Sequence, residues 1–153
     1  MRAQIDEQSV IKANSQFWEQ MLAMTLHPLD EPAEFCLDAG HMLGSVSLSG
    51  VWSGTIEVRL NDRLAYHATA AMLMQNVETV GETDALDAAK EIANMIAGTI
   101  KSSLPRPCEM SLPESTVQTE RFCSESQTEA SMVVAFRHSA GDMLVRIVEQ
   151  ECL

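Results

Sequence analysis

A two-layer α/β fold, with helices packed on one mostly antiparallel sheet, is predicted by three observations. First, apolar and polar residues alternate in Ser45-Val46-Ser47-Leu48-Ser49 and in Ile56-Glu57-Val58-Arg59-Leu60, the period of strands with one packed and one wet face. Second, apolar residues recur at helical spacing over 7–26 and 84–103. Third, the elements follow the order α-β-β-α-α-β-β-β, which places helices on a sheet built largely of hairpins.

The first helix is expected over 7–26. Val10, Ile11, Phe17, Trp18, Met21, Leu22 and Leu26 mark its apolar side, and Pro28 and Pro32 end the pattern. The two alternating segments then form a hairpin, with Gly50 and Gly54 in the connection. Asn61-Asp62 closes the second strand, and a short helix is expected over 64–75. The next helix spans 84–103, with Thr83 or Asp84 as its cap and Pro105 and Pro107 as its stop. Three strands are expected near 108–112, 130–138 and 143–151, with Gly141-Asp142 as the turn between the last two. Each long helix is followed by a pair or trio of strands, which outlines an internal two-fold repeat of an α-β-β unit. One domain over 1–153 is the expected organisation.

Apolar residues make up 46% of the chain, enough for an ordinary core, and the formal charge is −12. That charge argues against nucleic acid or an anionic membrane as the partner, because both require clustered cations. The first seven residues already include Asp6 and Glu7, so no signal peptide is expected. The longest apolar runs, such as 70–74 and 132–136, cover five residues and cannot span a bilayer. Cys36, Cys108, Cys123 and Cys152 form no CxxC pair, so neither a zinc site nor a thioredoxin-like motif is expected, and a reduced cytoplasmic chain accounts for them.

Most catalytic signatures are missing. No glycine-rich phosphate loop and no GxSxG elbow occur. His27, His41, His67 and His138 make no i,i+4 pair and read as surface or strand residues rather than ligands. No metal site is expected. The helix at 84–103 is the exception. Asp87, Glu91, Asn94 and Gly98 fall within a stripe roughly 60° wide, opposite Ile92, Ala93, Met95, Ile96, Ile100 and Leu104. A solvated helix face would account for the carboxylates alone. Asparagine and glycine are poor helix-interior residues, however, and the glycine costs about 1 kcal/mol against alanine. An exposed glycine lets another backbone come close. A carboxylate and a carboxamide one turn apart beside that gap form a contact site.

These residues resemble the CheC/CheX/FliY chemotaxis phosphatases. The family pattern, Asp or Ser, then Glu four residues on, Asn three further and a later Pro, is met by Asp87, Glu91, Asn94 and Pro113. The run 91–98, followed by Lys101 and Leu104, is similar to the family helix, and Ser111-Leu112-Pro113 resembles the strand after it. Pro113 follows Asn94 by 19 residues, slightly closer than in the family. The first helix carries no second Glu-x2-Asn. Its nearest match is Ser15, Glu19 and Leu22, which points to the single-site CheX type.

The resemblance implies a CheC-like fold and a cytoplasmic homodimer. The implied activity is hydrolysis of the aspartyl phosphate on a CheY-like response regulator. Glu91 would then pair with a lysine of the regulator, and Asn94 would orient the attacking water. Asp87 and Gly98 would help contact the partner. No cofactor is implied for this chain, and Mg2+ is expected in the regulator. Two other classes fit the same stripe: a non-catalytic module docking on a regulator or flagellar switch component, and a structural dimer with a decorated helix.

Overall fold

The computed structural model describes residues 5–30, 35–124 and 132–150. Three helices lie on one face of a seven-stranded sheet. Helix α1 runs Glu7–Leu22, α2 runs Asp62–Leu73 and α3 runs Glu82–Lys101. The strands are β1 (His27–Pro28), β2 (Cys36–Leu37), β3 (Met42–Gly50), β4 (Gly54–Leu60), β5 (Cys108–Met110), β6 (Glu114–Val117), β7 (Phe122–Cys123), β8 (Met132–His138) and β9 (Gly141–Glu149).

The main sheet has the order β1-β8-β9-β4-β3-β5, and β6 also pairs with β3. All of its pairings are antiparallel. Its middle is the β4–β9 pair, with Gly54 opposite Glu149 and Leu60 opposite Met143. From that pair outward, either direction meets a long strand and then a short edge strand. The edge strand β1 follows α1, and the edge strand β5 follows α3. The strand order is thus symmetric about the β4–β9 pair.

Alternation in β3 and β4 sends Met42, Val46, Leu48, Ile56, Val58 and Leu60 into the core with Trp18, Leu64, Ile92 and Ile96. Two residue choices set how closely α3 lies on the sheet. The helix buries small residues (Ala85, Ala89, Ala93 and Ala97), and Gly44 of β3 lies beneath them. A Cβ on Gly44 would collide with the Ala89 carbonyl and approach the Ala93 Cβ to 3.1 Å. On the other flank, Ser115 Oγ of β6 donates to the Leu86 carbonyl at 2.7 Å, tying β6 to α3.

The opposite face of the sheet carries a second, smaller core of Phe35, Leu37, Phe122, Ala135 and Leu144. Beside it Glu57 Oε1 accepts from Arg59 Nε at 3.4 Å and from Arg146 Nη1 at 3.2 Å. The Arg59 guanidinium stacks 4.0 Å above the Phe122 ring centre and donates to His41 Nε2 at 3.0 Å. His41 Nδ1–H donates to the Asp38 carbonyl at 2.9 Å. These two bonds require the neutral imidazole, and burial, with Arg59 alongside, pushes the His41 pKa down despite the Asp38 bond.

Several expectations need correction. The first helix stops at Leu22, four residues early. Ala23 turns left-handed (φ 54°), and both its N–H and that of Met24 bond back to the Trp18 carbonyl, closing the helix. Leu26 is buried from the following loop, so its apolar signal belonged to packing rather than to helical period. The third helix starts at Glu82, with Gly81 as its cap, and the Asp84 carboxylate accepts from Gly81 N–H at 3.4 Å. Met95, expected on the packed face, is 39% exposed, and His41, expected as a surface or strand residue, is buried just before β3. Cys36 and Cys123 face each other across β2 and β7 and are disulfide-bonded, not reduced. Residues 130, 131 and 151 of the expected last strands lie outside the described residues. No helix among the described residues is long and apolar enough to cross a membrane.

Candidate functional site

Helix α3 presents the predicted stripe on its outer side. Asp87 and Glu91 are exposed, and Asn94 and Gly98 are half-buried. Their opposites Ala85, Ala89, Ile92, Ala93, Ile96 and Ile100 are buried against the sheet. The spacing forces this division: with 3.6 residues per turn, packing one face leaves the other as a line of side chains.

The two central functional groups on that line, those of Glu91 and Asn94, are idle among the described residues. Neither the Glu91 carboxylate nor the Asn94 carboxamide makes a hydrogen bond or ion pair with the described residues. Asp87 lies 4.0 Å from Lys90 in an exposed i,i+3 pair, a contact worth little in water. Gly98 is equally unconstrained, because a Cβ there would meet nothing within 4 Å. The glycine is therefore not required by this chain's own packing.

Three concavities border the stripe. Between α2 and α3, a cavity of about 200 Å³ is lined by Thr69, Met72, Leu73, Asp84, Asp87 and Glu91, together with Ala88. On the other side of α3, a groove of about 490 Å³ brings Lys90 next to Pro113, Glu114 and Ser115. Pro113, half-buried just before β6, thus lines the same groove as Lys90, with β6 held to β3 by its ladder and to α3 by the Ser115–Leu86 bond. Past Asn94, a third groove of about 580 Å³ is lined by Gly98, Lys101, Arg106 and Glu109 among others. Sequence reasoning missed Arg106 and the α2 residues as neighbours of the site, since only packing brings them alongside Lys101 and the stripe. Apolar side chains also stand exposed nearby: Leu73 at 46%, Met95 at 39% and, next to Pro113, Leu112 at 87%.

The first helix offers no second site. Leu22, at the position where a second asparagine would stand, is buried in the core. The carboxylates Asp84, Asp87 and Glu91 share one cavity without converging. Among the described residues, no three His, Cys, Asp or Glu side chains are placed to hold a metal ion.

Comparison with known proteins places the chain in a family. The family described as chemotaxis phosphatase CheX matches residues 42–137, which include β3 to α3 and the Pro113 segment. No curated protein sequence matches the chain. Among solved structures, the chemotaxis protein CheX from Vibrio vulnificus superposes with a TM-score of 0.76 at 16% identity, covering 98% of this chain and 99% of that one. A CheC-like superfamily protein from Shewanella sp. PV-4 gives 0.74 at 18% identity, covering 94% and 96%. The CheX-CheY-BeF3-Mg2+ complex from Borrelia burgdorferi gives 0.73 at 16% identity, covering 97% and 100%.

Proposed function

The chain belongs to the chemotaxis phosphatase CheX family and is a hydrolase acting on a CheY-like response regulator; we propose that Glu91 and Asn94 of α3 carry out its chemistry. One observation supports this assignment above others. A carboxylate and a carboxamide stand one helical turn apart on an accessible line, unengaged by the described residues, inside the segment that matches the family.

The roles follow from the groups themselves. Glu91 anchors α3 by a charge-assisted bond to a lysine of the regulator, stronger than a neutral bond. Asn94 both donates and accepts hydrogen bonds, so it can hold a water in line with the phosphorus. Phosphoryl transfer depends on positioning and charge stabilisation, and neither residue need become a nucleophile. In the atom balance, water attacks phosphorus and the P–O bond to the regulator's aspartate breaks, giving inorganic phosphate and the free carboxylate. Mg2+ is supplied by the regulator, as in the related complex that holds BeF3 and Mg2+. Asp87 and Gly98 contribute to the contact surface. We further infer a single CheX-like domain over 1–153, working in the cytoplasm as a homodimer joined through sheet edges.

The test is to phosphorylate CheY-like regulators with a small-molecule donor and time phosphate loss with and without this protein and Mg2+. Acceleration of at least one regulator is expected. Binding to a regulator with no acceleration would replace the enzyme by a docking module.

A further inference from the structure

Charge changes sign along the outer line of α3, and Asn94 stands at the change. Before it, the cavity against α2 is lined by Asp84, Asp87 and Glu91 and by no cation. After it, the groove is lined by Lys101 and Arg106 against the single carboxylate of Glu109. Two cations gathered there are notable in a chain with 22 acidic and 10 basic residues. Lys101, in the last turn of α3, complements the helix dipole. Arg106 lies beyond the helix, where no dipole calls for it. Neither cation forms an ion pair with the described residues. The groove also contains Gly98, whose missing side chain leaves its wall open. From Glu91 to Lys101 the helix rises roughly 15 Å, so both ends lie within one protein footprint.

We propose that this groove receives an acidic segment of the same regulator whose lysine meets Glu91, and that the change of sign sets the orientation in which the regulator docks. The inference rests on the function proposed above and adds the partner's chemistry at the far end of the helix. Complementary charge steers encounter and penalises the reversed pose, in which the regulator's acidic segment would face Asp84 and Asp87. Asn94 then meets the phosphoryl group only in the pose that satisfies both ends.

The experiment uses a CheY-type receiver domain held with BeF3 and Mg2+ and follows association by stopped flow. Lys101→Glu/Arg106→Glu should slow association about 10-fold or more at low salt, and Lys101→Gln/Arg106→Gln by less. Near 1 M salt, where charges are screened beyond about 3 Å, the difference should vanish. Turnover at saturating phosphorylated receiver should fall as well, because reversed poses keep Asn94 from the phosphoryl group. The control pair Lys12→Glu/Arg121→Glu, with the same change in net charge at exposed positions elsewhere, should alter association less than about 2-fold. Equal slowing by the two charge-reversed pairs, or slowing that survives high salt, would overturn the proposal. If Asn94→Ala keeps full phosphatase activity while the groove variants still lose association, the catalytic assignment fails and the docking groove stands. A wild-type protein that binds no receiver would overturn both.

Discussion

Glu91 and Asn94 differ in what each interaction supplies, and their variants should fail differently. Both side chains are accessible and unengaged, so alanine at either position should leave the fold intact, and Asn94→Ala favours the helix slightly. Losing Asn94 removes water orientation, felt mainly in the transition state. Turnover should fall roughly 10²-fold or more with regulator affinity little changed. Losing Glu91 leaves the regulator's lysine without its partner, at a cost of about 2–5 kcal/mol in binding. Single-turnover kinetics against regulator concentration separates the two, and unaltered kinetics in both variants would remove α3 as the active site. His41 governs a second property. Its pKa is lowered from 6.5 by burial, and that of His138 is lowered too, first by burial and then by the charges of His67 and His27. The unfolded chain therefore takes up protons before the folded one does. The stability linked to these histidines is fully present above 6.5 and is lost as pH falls through the lowered folded values. Denaturant titrations should show wild type losing more stability than His41→Gln as pH drops below 6.5.

At the scale of elements, two glycines make opposite predictions. Gly44 lies under α3 with no room for a methyl group, so Gly44→Ala should force helix and strand apart and cost about 1–3 kcal/mol. Gly98 lies on the same helix with open space around it, so Gly98→Ala should stabilise by about 1 kcal/mol. If a regulator approaches α3 as proposed, that same substitution should weaken binding. Thermal melts paired with affinity measurements test both, and a Gly98→Ala protein that is more stable and binds as before would free the glycine from any docking role. The β2–β7 pair gives the third element-scale expectation. The Cys36–Cys123 bond closes a separation of 87 residues, and on the chain-entropy account its loss costs about 4.6 kcal/mol. Cys36→Ser/Cys123→Ser should melt well below wild type without reductant and match reduced wild type when both are reduced.

For the whole molecule, the homodimer proposed above would form through the sheet ends. On one side β5 and β6 share the edge of β3, and on the other the two-residue β1 covers only part of β8. Such edges carry unpaired backbone groups that a second copy can engage. Light scattering should give twice the chain mass at micromolar concentration, and a monomer mass at high concentration would exclude the homodimer.

How much was legible in the sequence follows from what each signal encodes. The long helices, the β3–β4 hairpin and the stripe of Asp87, Glu91, Asn94 and Gly98 were readable, because period and propensity are local and one packed face imposes them on the residue order. The same locality fixed that stripe as one surface before any partner element was placed. Two-residue strands such as β1 and β7 carry no period to detect, and Leu26 mimicked helical spacing while packing from a loop. The disulfide, the neutral buried His41, the approach of Pro113 to Lys90 and the charged concavities on either side of Asn94 join residues far apart in the chain. Only the folded sheet, through the antiparallel registers that set α3 between α2 and β6, decided which distant side chains became neighbours of the helix.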